Sequence, residues 1–146
     1  MDDFVKSYGG HQCYTVFDLF WEFDAQIVNS QSRNMTAFYS PLCLLCLTTL
    51  PMGYTNSPTE FQKCMIFILQ DKIPEVANIF IDDLPIKGPK LQYLNKNDKP
   101  KVLFENPGIC HFIWEHAIDV HHIMHWIYCA GATFHQKRLK FVGKKL

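Results

Sequence analysis

The sequence has no long apolar run, no apolar signal segment and no net charge. Its apolar runs fall short of the roughly 18 residues of a membrane-spanning helix, and the N-terminus MDDFVKSYGG is acidic. These absences argue against a membrane partner and against secretion, so we expect an intracellular protein, cytoplasmic or nuclear. Lys plus Arg and Asp plus Glu number 14 each, so the total charge selects no class of partner.

The chain also lacks the cysteine spacing of a disulfide framework or of a four-ligand zinc site. Six cysteines stand at irregular intervals without a signal peptide, which favours reduced thiols. Cys43 and Cys46 have zinc-ligand spacing, but there is no second C-x-x-C, and Cys110-His111 is the only nearby complement. We therefore interpret CLLC as apolar strand residues.

The sequence is rich in apolar and aromatic residues, and its charged residues are unevenly distributed between the two halves of the chain. Hydrophobic residues make up 48% and aromatic residues 14% of 146 residues, which predicts one folded domain with a real core. Residues 1–86 carry ten acidic and four basic side chains, whereas residues 87–146 carry four acidic and ten basic. This division fits a cation-binding half beside a phosphate-binding half, or a chance imbalance on solvated surfaces.

The first half of the chain predicts strands before a helix. We expect a short helix over residues 2–8, ended by two glycines, and a buried strand CYTVFDLFWEF that contains Asp18. The segment MTAFYSPLCLLCLTTL predicts one or two strands that turn at Ser40-Pro41.

A loop-to-helix transition follows in LPMGYTNSPTEFQKCMIFILQDKIPE. Ser57 is a candidate N-cap, Pro58 fits the first helical position, and Glu60 completes an S-x-x-E capping box. One apolar helical face has the spacing i, i+3, i+4, i+7 and i+8, and it consists of Phe61, Cys64, Met65, Ile68 and Leu69.

The second half predicts a hairpin, a loop, a helix and a short strand. EVANIFIDDLPIKG is expected to form a hairpin with Asp82 and Asp83 at or near its turn, although Pro85 removes a ladder donor from the returning arm. Residues 87–110 are expected to form an exposed insertion loop. FIWEHAIDVHHIMHWIYCAG predicts an amphipathic helix ended by Gly131. The whole order of elements indicates an α+β fold, with helices packed on one face of a mainly antiparallel sheet.

The predicted second helix could serve in core packing or in metal binding. Its apolar stripe, which we expect to be buried, consists of Trp114, Val120, Ile123, Met124 and Ile127. His121 and His125 lie at i and i+4 and have the spacing of two metal ligands, but the H-E-x-x-H glutamate is missing. We favour a packing role for this helix.

Three carboxylates interrupt strand-like apolar runs, where charge is costly. Asp18 lies within VFDLF, and Asp82 and Asp83 follow NIFI. A hard divalent cation such as Mg²⁺ takes carboxylate oxygens and completes its shell with water and phosphate. The alternative is that these residues stand at solvent-exposed turns.

Four segments, in the same order, carry a resemblance to a known family. FIDD resembles the [YF]-x-D-D box of reverse transcriptases, and LPMGYTNSPTEFQ is similar to their [LM]-P-x-G-x-x-N-[AS]-P-x-x-F-Q segment. VFDLFWEF resembles the first catalytic strand, and WEHAIDVHHIMHWIYCAGATF resembles the palm helix with its following strand. The pattern is most similar to the Pol polyproteins of gypsy-type LTR retrotransposons, over roughly residues 1–143.

The resemblance implies an RNA-directed DNA polymerase that uses Mg²⁺, or Mn²⁺ in its place. Asp18 and Asp82 would be the principal metal ligands and catalytic residues, with Asp83 as the third carboxylate. The enzyme would add deoxynucleoside triphosphates to the 3′-hydroxyl of a primer on an RNA or DNA template by two-metal nucleotidyl transfer.

The resemblance also implies roles for six other residues. Phe23 would exclude a 2′-hydroxyl from the incoming sugar, and Gln62 would lie near the template strand. Lys137 would protonate the departing pyrophosphate. The nucleotide pocket would be lined by Phe23 together with Pro51, Met52 and Gly53.

The family's organisation implies that this chain is a fragment. Residues 1–146 would form one reverse-transcriptase palm-like domain with part of the fingers, while the upstream fingers, thumb, connection and RNase H segments have no counterpart. We expect weak or no activity of this domain alone, and possible partners are the remaining polyprotein domains. The alternative is a non-catalytic nucleic-acid-binding or interaction remnant of a retrotransposon polyprotein.

Overall fold

The computed structural model describes residues 8–20, 23–81, 83–134 and 140–143. The predicted helix over residues 2–8 lies outside these ranges except for its last residue. The described part has the predicted α+β composition. Its elements are β1 (Cys13–Phe20), a 3-10 helix (Ser30–Thr36), β2 (Phe38–Tyr39), β3 (Leu44–Leu45), α1 (Ser57–Ile68), β4 (Asp83–Lys87), α2 (His111–Cys129), β5 (Thr133–Phe134) and β6 (Lys140–Gly143).

Strand β1 is the centre of an antiparallel sheet. It pairs with β4 along one side, and with β6 and then β5 along the other. Its aromatic and β-branched residues favour an extended backbone, and its burial alternates as a strand with one covered face requires. The covered side chains of β1 are Cys13, Thr15, Phe17 and Leu19. This confirms the predicted buried strand around Asp18.

Both helices pack on the same face of the sheet, as the sequence predicts. The shared core is apolar, and burial of its side chains contributes about 1.5–3 kcal/mol for each large residue. The sheet contributes Phe17, Leu19, Leu84 and Ile86 to this core, and the helices contribute Phe61, Met65, Ile123 and Ile127, with Leu69 directly after α1. Neither α1 nor α2 covers the opposite face of β1 and β4.

Helix α1 begins one residue earlier than the predicted capping box requires. Asn56 is the N-cap residue and makes no side-chain cap hydrogen bond, while Ser57 is already helical. The Ser57 hydroxyl is buried and donates to the Pro51 carbonyl, 2.7 Å away. Glu60 instead forms an exposed ion pair with Lys63 at 2.7 Å. The capping box is therefore wrong, although the helix and its Phe61–Met65–Leu69 face are confirmed; Cys64, predicted on that face, is exposed.

The buried stripe of α2 differs from the predicted one. Ile123 and Ile127 are fully buried, but 47% of Trp114 and 39% of Met124 is exposed. Each residue turns the helix by about 100°, so Trp114 points well away from the side that faces the sheet. The first half of the helix is buried through Phe112 and His116. Gly131 follows the helix with a φ of 82°, and this confirms the predicted end.

His116 is a buried polar residue that lies under the sheet. Its Nε2 lies 2.8 Å from the hydroxyl oxygen of Thr15 on β1. Burial lowers the pKa of His116, because a charged imidazolium would lose its hydration there. The side chain therefore links α2 to β1 as a neutral group.

The β2–β3 hairpin confirms the predicted turn at Ser40-Pro41 but not the predicted packing. The Ser40 amide donates to the Cys43 carbonyl at 2.9 Å and closes the turn. Cys43 and Cys46 are both exposed, as are the leucines between them. Interpreting CLLC as packed strand residues is therefore wrong, because the hairpin stands out from the core.

The segment that follows β4 is irregular. Residues 89–110 contain no helix, and their only pairings are the isolated bridges of Leu94 with Pro100 and of Val102 with Cys110. Lys87, which the predicted insertion loop included, is the last residue of β4 and is buried. Neither helix of the described ranges has the length and apolar character needed to cross a membrane.

Candidate active site

Asp83 directly follows the turn of a tight hairpin, as predicted. Phe80 and Asp83 exchange both backbone hydrogen bonds, at 2.9 and 3.0 Å, and Ala77 pairs with Ile86 further along. Only two residues therefore connect the arms. The first of them, Ile81, has a φ of 57°, in the left-handed region that is costly for a β-branched residue. The second is Asp82, which lies outside the described residues.

The register of β1 and β4 places Asp18 directly opposite Asp83. Asp83 directs its amide and carbonyl towards Phe80, on the side away from β1. Asp18 and Asp83 therefore form a non-hydrogen-bonded antiparallel pair, in which Cα atoms lie about 4.5 Å apart and side chains are closest. Two carboxylates more than 60 residues apart in sequence thus meet at one end of the sheet.

These carboxylates occupy the face of the sheet that the helices do not cover. Phe17 and Leu84, the neighbouring pair, point into the core, so the alternation of a strand directs Asp18 and Asp83 to the opposite side. Asp83 is exposed. This end of the sheet is therefore accessible to a ligand.

The other end of the same face is covered by Tyr8. The Tyr8 hydroxyl donates to the Pro85 carbonyl at 3.3 Å, and the Lys87 ammonium lies 5.5 Å from the centre of the Tyr8 ring. Burial lowers the pKa of Lys87 and raises that of Tyr8 to about 12. Lys87 and Asp83 are four strand residues apart, about 13 Å, and the Lys87 ammonium donates a hydrogen bond to the Pro74 carbonyl.

Pro85 does not interrupt the pairing that aligns the two aspartates. Its carbonyl accepts a hydrogen bond from the Asn78 amide at 3.1 Å. Because the N–H and C=O of one residue in an antiparallel strand point to the same side, the missing N–H also faces Asn78. The predicted loss of a ladder donor thus falls on the short arm of the hairpin, and Val16 still pairs with Pro85.

Phe23, the predicted sugar-contacting residue, packs against the core. Its ring meets the Phe61 ring edge-on, with 5.9 Å between the centroids and 68° between the planes. It is half-buried and lies beside the core formed by the sheet and α1. This position follows β1 by three residues.

The predicted pocket residues Pro51, Met52 and Gly53 form an exposed turn before α1. The Tyr54 amide donates to the Pro51 carbonyl at 3.4 Å, and Gly53 has a φ of 87°. A Cβ atom on Gly53 would meet nothing within 4 Å. The turn conformation is therefore a sufficient local reason for this glycine. The Met52 side chain is 83% exposed.

Gln62 has a contact that sequence reasoning missed. Its side-chain amide donates to the Ile79 carbonyl at 3.3 Å and joins α1 to the short arm of the aspartate hairpin. No sequence signal predicts this bond, because the two residues belong to separate elements. Lys137 lies outside the described residues. Within the described ranges no group of three His, Cys, Asp or Glu side chains could hold a metal ion, and that search does not include Asp82.

Comparisons with known proteins relate the chain to retroviral-type polyproteins. No protein-family model matches the sequence. It is 29% identical over 96 residues to the retrovirus-related Pol polyprotein from transposon 297 of Drosophila melanogaster, covering 65% of this chain. It is 27% identical over 97 residues to that from transposon 412 of the same organism, covering 66%. The chain matches only 9% and 8% of these two relatives.

Solved structures with the same fold include foamy viral protease-reverse transcriptases. The prototype foamy virus protease-reverse transcriptase superposes with a TM-score of 0.65 and 23% identity, over 89% of this chain and 14% of that one. The foamy viral protease-reverse transcriptase in complex with RNA/DNA hybrid gives a TM-score of 0.68 and 19% identity, over 94% of this chain and 15% of that one.

The chain therefore has a reverse-transcriptase fold. Its sequence relatives are retrovirus-related Pol polyproteins of transposons, and this confirms the resemblance carried by the four motifs. The likeness covers a small part of each relative; it spans about two thirds of this chain in the sequence comparison and about nine tenths in the structural comparison.

Proposed function

We propose that this chain is the palm region of an RNA-directed DNA polymerase and that Asp18 and Asp82, with Asp83 as the third carboxylate, form its catalytic centre. The observation that supports this most is the register that sets Asp18 opposite Asp83 on the accessible face of the sheet. The aspartates lie in the two segments that resemble the catalytic motifs of the family, and the relatives are Pol polyproteins.

The donor chemistry of this pair fits a hard divalent cation. Facing carboxylates on adjacent strands repel each other, and carboxylate oxygens are the ligands that Mg²⁺ and Mn²⁺ prefer. Asp18 and Asp82 would be the principal ligands, and Asp83, which lies opposite Asp18 on β4, would add the third carboxylate. When bound, such ions activate a hydroxyl nucleophile and neutralise charge on a departing pyrophosphate.

The remaining residues would position substrates around these carboxylates. Phe23 would restrict the sugar of the incoming deoxynucleoside triphosphate, and the exposed turn at Pro51, Met52 and Gly53 would contact the nucleotide. Lys137 would donate a proton to pyrophosphate. Gln62 would act near the template by holding the Ile79 carbonyl, and with it the aspartate hairpin.

A primer annealed to an RNA or DNA template is the proposed partner. Two of the solved relatives are complexes of a foamy viral protease-reverse transcriptase with RNA/DNA hybrid and with double-stranded DNA. We propose one palm-like domain over residues 1–146 with an insertion after β4, whose efficient turnover requires finger and thumb segments. Catalysis depends on holding reactants in place as well as on metal ions.

The test is primer extension with the full chain in Mn²⁺ or Mg²⁺, comparing Asp18→Asn and Asp83→Asn with Asp24→Asn. Asp24 is exposed and lies outside the sheet, so it provides a matched loss of one carboxylate. We expect extension to fall by at least about 100-fold in the first two variants and to stay unchanged in the third, with equal primer–template binding in all.

Extension that survives both site variants would refute the assignment of the carboxylates. Binding of primer–template without any extension, even when finger and thumb segments of a relative are added, would contradict the polymerase. That outcome would favour the non-catalytic nucleic-acid-binding alternative.

A further inference from the structure

The exposed side of α2 carries a second set of side chains that can bind metals. They are imidazoles and a thiol, whereas the first set consists of carboxylates. His121, His125 and Cys129 follow at i, i+4 and i+8 and form one stripe along the helix. All three are exposed. The Sγ atom of Cys129 lies 3.6 Å from Nε2 of His125. The two atoms therefore already converge on one point outside the helix.

This separation equals the edge of a tetrahedral zinc site. With Zn–S near 2.3 Å and Zn–N near 2.05 Å at a tetrahedral angle, the two ligand atoms stand about 3.6 Å apart. A weak S–H···N hydrogen bond would give a similar distance. The two interpretations differ in a measurable way, because only the first predicts that a metal replaces the thiol proton.

We propose that His125 and Cys129 bind one ion of the zinc class, as a two-ligand site on the last turn of α2. A thiolate and an imidazole select Zn²⁺ or Co²⁺ over Mg²⁺. The position also favours a cation, because the C-terminal end of a helix carries partial negative charge. Among the described residues no further His, Cys, Asp or Glu completes the site, so water fills the open positions.

Of the three residues in the stripe, only His125 and Cys129 form the proposed ligand pair. His121 and Cys129 are separated by a helical rise of about 12 Å, so they cannot share one ion. His121 lines the apolar groove between α2 and β6 with Met124 and Phe141, away from the Cys129 turn. His125 is thus the common member, and the observed contact assigns its partner as Cys129.

Cobalt is the probe that separates this site from the aspartates. Co²⁺ is titrated into the full chain in excess Mg²⁺, and the thiolate-to-cobalt charge-transfer band and the tetrahedral visible bands are recorded. We expect a saturable band equivalent to one Co²⁺ per chain, reversed by Zn²⁺. Both Cys129→Ser and His125→Gln should weaken the apparent affinity at least tenfold.

Two variants serve as controls, and all are checked for helix content by circular dichroism. Cys64→Ser removes an exposed helical cysteine that has no histidine four residues away, and His122→Gln removes a neighbouring exposed histidine. Neither should change the titration. Absence of a charge-transfer band, equal loss in the controls, or one ion for two chains would overturn the site. Because the readout involves sulfur, it is independent of the carboxylate proposal.

Discussion

Replacing Gly88 by Ala is expected to lower the free energy of unfolding by about 1–3 kcal/mol, the range for overpacking a filled core. A Cβ atom at this position would lie 2.3 Å from the Cys13 sulfur and 2.9 Å from its carbonyl oxygen. Cys13 is fully buried in β1, and its carbonyl accepts the Gly88 amide at 2.9 Å. The carbonyl oxygen cannot move without separating β1 from the segment after β4, and the sulfur can turn away only within a filled core.

The matched control is Gly108→Ala, measured by urea denaturation beside the first variant. A Cβ there would meet only the Asn106 side-chain oxygen, at 3.3 Å, in an exposed loop. Its free energy of unfolding should change by no more than about 0.5 kcal/mol. Equal effects of the two substitutions would show that β1 and β4 do not pack as described.

Truncation of Ile123 to Ala is expected to destabilise the protein by about 2–5 kcal/mol. Ile123 is fully buried between α2 and the sheet, so its loss leaves a cavity among residues that cannot all move to fill it. Met124, the next residue, is 39% exposed. Met124→Ala should cost about 1 kcal/mol or less. Denaturant unfolding of both variants gives the comparison.

This pair of variants distinguishes two orientations of the same helix. The apolar pattern alone treats Ile123 and Met124 as members of one buried stripe. Comparable destabilisation by the two substitutions would support that broader stripe and contradict the observed one. A large loss for Ile123 alone supports the packing seen in the structure.

The elements that the sequence predicts well are those with an unambiguous period or turn. The apolar residues of the α1 face recur every three to four positions. The aspartate hairpin has only two residues between the paired Phe80 and Asp83, so its turn is tight. The alternating burial of β1 follows from its strand-like composition. These features are local, so a pattern of residues is enough to reveal them.

The errors concern features that depend on tertiary contacts. Ser57 resembles an N-cap, but its hydroxyl reaches the Pro51 carbonyl of the preceding turn instead. CLLC resembles a packed strand, but its hairpin has no partner layer among the described residues. His116 takes a buried place that its polarity does not suggest, because Thr15 lies within hydrogen-bonding distance.

In the candidate site, too, the sequence predicts the local features but not the contacts between separate elements. The motifs identify the aspartates as a set, and pairing of β1 with β4 is what brings Asp18 to Asp83. The hydrogen bond from Gln62 to the hairpin joins separate elements and is visible only in the fold. Asp82 and Lys137 lie outside the described residues, so their roles stay predictions.

The most direct test of the central claim is a double-mutant cycle on Mn²⁺ affinity with Asp18→Asn, Asp83→Asn and their combination. If both carboxylates hold one ion, each single substitution should weaken binding at least tenfold, and the combination should weaken it by less than the product of the two. Independent factors that multiply, or single variants that bind Mn²⁺ as the parent does, would contradict a shared site.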